Sequence, residues 1–251
     1  MTDAYNVGPI NVEGCAVNDF LLTQHLPARK APAVIERDRL LMSARPGFNR
    51  KLLPLSIEQD TGNIYSGGRY LFDTYENVVA FSLWCKEEFA LDGILIFDRP
   101  DFDEVFTRIY RVIGAHDFKD VHSAQTAYRT EIWKTDDKGM EDKLLNMWPA
   151  LRDRAEAGNL SSLWLLHNAE AAEIALITVI GRTGLYSQSE LDYLTLNAAQ
   201  SAPSYGEDWH WAEKTFDRSH WVYTVWFPNN NDVSDKPPLW PNSPPLPAPG
   251  D

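Results

Sequence analysis

Residues 111–133 read RVIGAHDFKDVHSAQTAYRTEIW, which gathers two histidines, two aspartates, a lysine, two arginines and a glutamate into one short run. An imidazole exchanges protons near neutrality, and a neighbouring carboxylate fixes its tautomer and raises its basicity. In an extended chain His116, Phe118, Asp120 and His122 fall on one side, with Asp117 adjacent, so the run can offer two bases and an orienting carboxylate to one ligand. Arg129 stays charged and presents a two-pronged donor to a phenolate or carboxylate. The chemistry expected of His116, His122, Asp117 and Arg129 is general acid/base catalysis on a small molecule. The competing reading is that HDFKD is a solvated connector between two units.

The remaining histidines are His25, His167, His210 and His220. His167 ends SSLWLLHN, whose alternation sets Leu163, Leu165 and His167 on one face and Trp164 and Leu166 on the other. It is a fifth catalytic candidate, weighed against a hairpin-turn residue in HNAEAAE. Nine tryptophans and ten tyrosines exceed what core packing requires, and large rings suit a flat hydrophobic ligand. The ligand-binding candidates are His25, Tyr70, Trp84, Tyr128, Trp133, Trp164 and His210, the last flanked by Trp209 and Trp211. His220 receives no role.

Composition narrows the classes of function. A chain of 251 residues with 44% hydrophobic and 12% aromatic content can bury a core as one large domain or two small ones. Its net charge of −13 and lack of a Lys/Arg cluster disfavour nucleic acid and anionic membranes. The N-terminal MTDAYNVGPINVEG has neither a basic n-region nor an apolar h-region, and no apolar run approaches the roughly 20 residues of a span, so a cytoplasmic address is expected. Cys15 and Cys85 read as two buried thiols. P-loop, dinucleotide-binding, zinc-protease and nucleophile-elbow motifs do not occur.

The elements that must position these residues follow one order twice. VEGCAVNDFLL reads as a strand, PAVIERDRLLMSA as a helix opened by Pro32, RKLLPLSIE and IYSGGRYLF as a strand pair, and YENVVAFSLWCKEEF as a helix with a capping box from Asp73 to Glu76. GILIFD, as a strand, and FDEVFTRIYRVIG close the half. The second half runs AQTAYRTEIW, the helix EDKLLNMWPALRDRAEA kinked or restarted at Pro149, the strands LSSLWLLHN and EIALITVIG, a helix after Ser187, and HWVYTVWF. Each half is β-α-β-β-α-β, an α+β ferredoxin-like unit whose sheet has one uncovered face. Two units can cover each other, which predicts boundaries at 1–114 and 115–228. A Pro/Asn-rich tail, 229–251, is either disordered or an extended arm.

Two such units packed sheet to sheet resemble the dimeric α+β barrel superfamily in tandem. DFLLTQHLPARKAPA and GRYLFDTYENVVAFSLW are similar to its antibiotic-biosynthesis-monooxygenase and EthD-like members, over most of residues 10–228. The resemblance implies an enzyme that holds a small aromatic or polyketide-like molecule in the barrel. It would act by histidine acid/base chemistry without an organic cofactor, as a lyase, an isomerase or a cofactor-free oxygenase. EthD-like proteins also carry a histidine where His25 stands. A rival resemblance, to the chlorite dismutase and coproheme decarboxylase group, implies haem with His167 as axial ligand. A third reading is a non-catalytic protein that binds hydrophobic ligands. The expected partner is a small aromatic ligand, with nucleic acid and membranes excluded and a homo-oligomer allowed.

Overall fold

Strand residues with apolar neighbours on both sides must be covered on both faces, and the sheet achieves this by closing on itself. The computed structural model describes residues 7–23, 38–57, 61, 63–91, 93–119, 127–137, 139–180, 204–207 and 209–228. The order is β1 (Gly8–Pro9), β2 (Gly14–Leu22), β3 (Phe48–Ile57), β4 (Ile64–Phe72), α1 (Tyr75–Glu87), β5 (Ala90–Leu91), β6 (Ile94–Leu95), β7 (Phe102–Asp117), β8 (Ala127–Lys134), α2 (Glu141–Ala157), β9 (Ser162–Asn168), β10 (Glu173–Ile180) and β11 (Glu213–Trp226). Residues 38–43 are also helical, in the part of PAVIERDRLLMSA that is described. His25, Asp120, His122, the helix expected after Ser187 and the tail 229–251 lie outside the described residues.

The main sheet is antiparallel, with strand order β1-β7-β2-β4-β3-β11-β8-β10-β9, and β7 also pairs with β9, which joins the two ends into a ring. β7 can do this because it is 16 residues long. Residues 102–111 bond to β2, and residues 111–117 bond to β9. The first four long strands take the order β7-β2-β4-β3 and the last four take β11-β8-β10-β9.

Alternation along each strand divides the apolar residues into three layers. Cys15, Val17, Leu52, Leu71, Tyr110, Tyr128, Trp164 and Ile177 meet inside the ring. Ala16, Leu53, Tyr70, Phe72 and Trp226 face outward and pack with Val78, Phe81 and Cys85 of α1. On the other flank Trp133, Leu163, Leu165, Ile174 and Leu176 pack with Leu144, Leu151 and Ala155 of α2. β7 passes directly beneath α2 at Gly114, where an added Cβ would lie 2.2 Å from the Trp148 ring. Both cysteines are free and buried.

Several local expectations are corrected. GILIFD does not join the main sheet: Ile94–Leu95 pairs with Ala90–Leu91, and Ile96–Asp98 is a turn of 3-10 helix. The last strand of the first half is FDEVFTRIYRVIGAHD, so the division expected at 114/115 cuts a continuous strand. The α1 cap is Thr74, whose hydroxyl accepts from the Asn77 N–H at 3.2 Å, while Asp73 bonds the Thr74 N–H and the Asn77 side chain. α2 continues through Pro149 and ends at Gly158. Among the described residues no helix is long and apolar enough to cross a membrane.

Candidate active site

Four strands deliver polar side chains to one level inside the ring. Asp19 of β2, Arg69 of β4, Thr130 of β8 and His220 of β11 occupy the inward parity set by Val17, Leu71, Ile132 and Val222, and each is at most 1% exposed. The Arg69 guanidinium grips Asp19 with two parallel bonds, Nη1 to Oδ1 at 2.8 Å and Nη2 to Oδ2 at 2.9 Å. Its Nη1 also donates to the Asn18 carbonyl at 2.8 Å, and its Nε donates to the Thr130 hydroxyl at 2.9 Å. β2 and β4 run so close here that a Cβ on Gly67 would lie 1.9 Å from the Asn18 carbonyl oxygen; its φ of +151° adds a second reason for glycine.

His220 completes the group, with Nε2 3.4 Å from Asp19 Oδ1. Burial works to raise the Asp19 pKa, but Arg69 and His220 override it and hold the carboxyl well below the ordinary range. Burial lowers the pKa of His220, and Asp19 only partly offsets this, so the imidazole is neutral at pH 7. Nε2 stands at ion-pair distance from the carboxylate, which when ionised can only accept. The Tyr128 ring lies 5.3 Å from the imidazole and 5.1 Å from the Arg69 guanidinium carbon. Burial pushes its phenol well above the usual range, and its Oη has no hydrogen-bond partner among the described residues. A neutral imidazole oriented by a carboxylate, beside a phenol that remains protonated, can take up one proton and donate another.

The structure disperses most of the residues singled out in the sequence. His116 and Asp117 are consecutive in β7 and therefore face opposite ways. Asp117 points inward to an ion pair with Arg50 at 2.5 Å, so it cannot orient His116. His116 stands half-buried on the outer side with its ring 4.8 Å from Phe118, and burial, with Arg152 nearby, lowers its pKa. Arg129 faces outward and is held by Asp217 through bonds of 2.7 and 2.6 Å, so it is not available to a ligand inside the ring.

The rings divide in the same way. Tyr128 and Trp164 face the interior, where Trp164 Nε1 donates to Ser162 at 2.9 Å. Tyr70 packs on Phe81 at 4.8 Å, Trp84 on Phe89 at 4.3 Å and Trp133 on Trp209 at 4.7 Å, all in the outer layers. They are packing residues, not a pocket wall. His210 is exposed on a turn between Trp209 and Trp211, whose rings stack at 5.4 Å.

His167 is buried on the outward parity with Leu163 and Leu165, in the layer under α2, and not in a hairpin turn. A haem inside the ring would need an inward-facing axial histidine, so His167 does not fit that role. Among the described residues no group of three or more His, Cys, Asp or Glu is placed to hold a metal ion.

Sequence reasoning passed over Asp19, Arg69, Thr130 and His220. The available signal was a charged residue at the core parity of an apolar strand, as in GCAVNDFLL and IYSGGRYLF.

No family model and no curated protein matches the sequence. Solved structures do match it over most of the chain. A candidate monooxygenase from Fusobacterium nucleatum is 13% identical with a TM-score of 0.55, covering 86% of this chain and 94% of its own. A candidate monooxygenase from Lactobacillus acidophilus is 10% identical with a TM-score of 0.50, covering 86% and 96%. At these identities the likeness speaks for the fold. The chain is an α+β protein with a large antiparallel sheet and, among the described residues, few helices, and its fold is like that of these two proteins.

Proposed function

We propose that the chain is an enzyme that takes a small hydrophobic aromatic molecule into the ring and moves a proton with His220, without an organic cofactor. The observation that carries this reading is the buried set Asp19, Arg69 and His220, in which a neutral imidazole faces an ionised carboxylate at 3.4 Å. Buried ionisable groups are costly to hold unless paired, and perturbed ones gather at functional sites. The repeated strand orders β7-β2-β4-β3 and β11-β8-β10-β9 support two tandem β-α-β-β-α-β units, the second following Asp117 and each contributing half of the site.

In this reading a C–H or O–H proton of the substrate passes to the His220 imidazole, and the imidazolium that forms is balanced by Asp19. Arg69 holds that carboxylate ionised and in place. The electron pair left on the substrate then expels a leaving group, is reprotonated at another carbon with Tyr128 as the nearby acid, or bonds to dioxygen, giving after proton uptake a hydroperoxide whose O–O bond breaks with loss of water to leave one oxygen on carbon as a carbonyl. These outcomes correspond to a lyase, an isomerase and a cofactor-free monooxygenase.

The test begins with mass spectrometry of ligand co-purified from the native protein, followed by turnover assays on that compound class. His220→Gln should lower kcat about a hundredfold to ten-thousandfold with an unchanged circular dichroism spectrum. Near-wild-type turnover in that variant would remove His220 from the chemistry.

A further inference from the structure

On the inward face of β11, Phe216 and Arg218 precede His220 at alternate positions, and exposure falls along that series from half-buried to buried. On β7, on the opposite side of the ring, half-buried Phe106 and exposed Arg108 precede buried Tyr110 on the same face. Phe106 and Phe216 nevertheless stack across the ring, with centroids 5.5 Å apart and planes 12° from parallel. This end of the ring is therefore lined with aromatic faces and lies directly above the buried imidazole.

Among the described residues four arginines face inward, and three of them meet a carboxylate. Arg50 pairs with Asp117 at 2.5 Å, Arg69 with Asp19 at 2.8 Å and Arg108 with Glu173 at 3.4 Å. Arg218 differs. Its guanidinium lies 4.1 Å from the Tyr65 ring centre and 5.3 Å from that of Phe216, and among the described residues no carboxylate pairs with it. A half-buried cation resting on ring faces recovers only part of the hydration it loses. An anion arriving with a flat ring would supply the rest.

We propose that Arg218 is a substrate-binding residue that anchors the ionised group of an aromatic acid, whose ring lies against Tyr65 and Phe216 with its reacting hydrogen toward His220. This rests on the acid/base reading of the site and names its substrate class: an aromatic molecule bearing a carboxylate or phenolate. Guanidinium and carboxylate match as two parallel charge-assisted bonds, which a neutral amide of the same shape cannot form.

The experiment compares 2-naphthoate with its neutral isostere 2-naphthamide by isothermal titration calorimetry at pH 7.5. Wild-type protein should bind 2-naphthoate about tenfold or more tighter. Arg218→Gln should abolish that preference while leaving 2-naphthamide affinity within about twofold, and Arg218→Lys should keep part of it, since charge remains without the fork. Equal affinity for the two probes, binding of neither, or a preference that survives in Arg218→Gln overturns the proposal. The wild-type comparison decides even if a variant fails to fold. His220→Gln separates the two claims: it should bind both probes as the wild type does, so a preference for 2-naphthoate together with undiminished turnover in that variant would refute the base and leave the anchor standing.

Discussion

Replacing Asp19 with Asn tests the charge arrangement with little change of shape. Asp19 and Arg69 are 1% and 0% exposed at the side chain, and Asp19 accepts both guanidinium bonds while facing His220. An amide of the same volume opens no cavity, so the loss is electrostatic: Arg69 remains a buried cation with only carbonyl and hydroxyl oxygens as acceptors. Breaking one side of such a pair costs about 3–5 kcal/mol. With a urea slope no steeper than about 3 kcal/mol per molar, the unfolding midpoint should fall by ~1 M or more. The paired replacement Asp19→Leu with Arg69→Met removes both charges and should cost less than Asp19→Asn alone, because no uncompensated cation remains. A loss below about 1 kcal/mol for Asp19→Asn would refute the reasoning, since it would mean that water reaches and screens Arg69 in solution.

The pH profile carries a second expectation. The folded pKa of His220 lies below its ordinary value near 6.5, so the unfolded chain takes up this proton first and stability falls as pH drops below about 6.5; His220→Gln should flatten that limb in denaturant titrations. Lys51, buried between the Tyr70 and Trp226 rings, is pulled down to about 7 by burial. The stability advantage of wild type over Lys51→Met should therefore grow between about pH 7 and 10.4, and a difference independent of pH would refute it. Gly67→Ala would drive a methyl group against the Asn18 carbonyl at the level of Asp19, and should lower stability by about 1–3 kcal/mol with a visible loss in thermal melting. Arg129→Gln, on the outer face, should leave kcat within about twofold; a hundredfold loss would return it to the site.

The sequence carried the fold further than it carried the site. Short apolar runs in GCAVNDFLL, SLWLLHN and EIALITVI, and the stripe Val78, Phe81, Cys85, located strands and a helix because each pattern depends on near neighbours. The full length of β7 was hidden at its start, where the exposed Asp103 and Glu104 give no apolar alternation. For the site, both faces of most strands are apolar, so alternation tells which residues share a face without telling which face lies inside the ring. His116 and Asp117 looked like partners because they are adjacent, and strand geometry separates adjacent residues. Asp19 and His220 looked unrelated because only ring closure brings β2 and β11 to the same level.

That closure also governs how the chain reaches its final form. β3 and β11 are joined by pairs such as Leu52 with Val225, so one seam of the ring cannot form until nearly the whole described chain has been synthesised. During that interval β3 presents an open edge, and Arg69 waits for the Thr130 hydroxyl that satisfies its Nε. Pairings so distant in sequence carry a large loop-closure cost and place such folds among the slower ones. An unpaired β3 is also the natural place for a second nascent chain to add a strand. Slow folding with loss to strand-exchanged or aggregated species at high expression rates is therefore the expected vulnerability, and dilution or slower synthesis is the expected remedy.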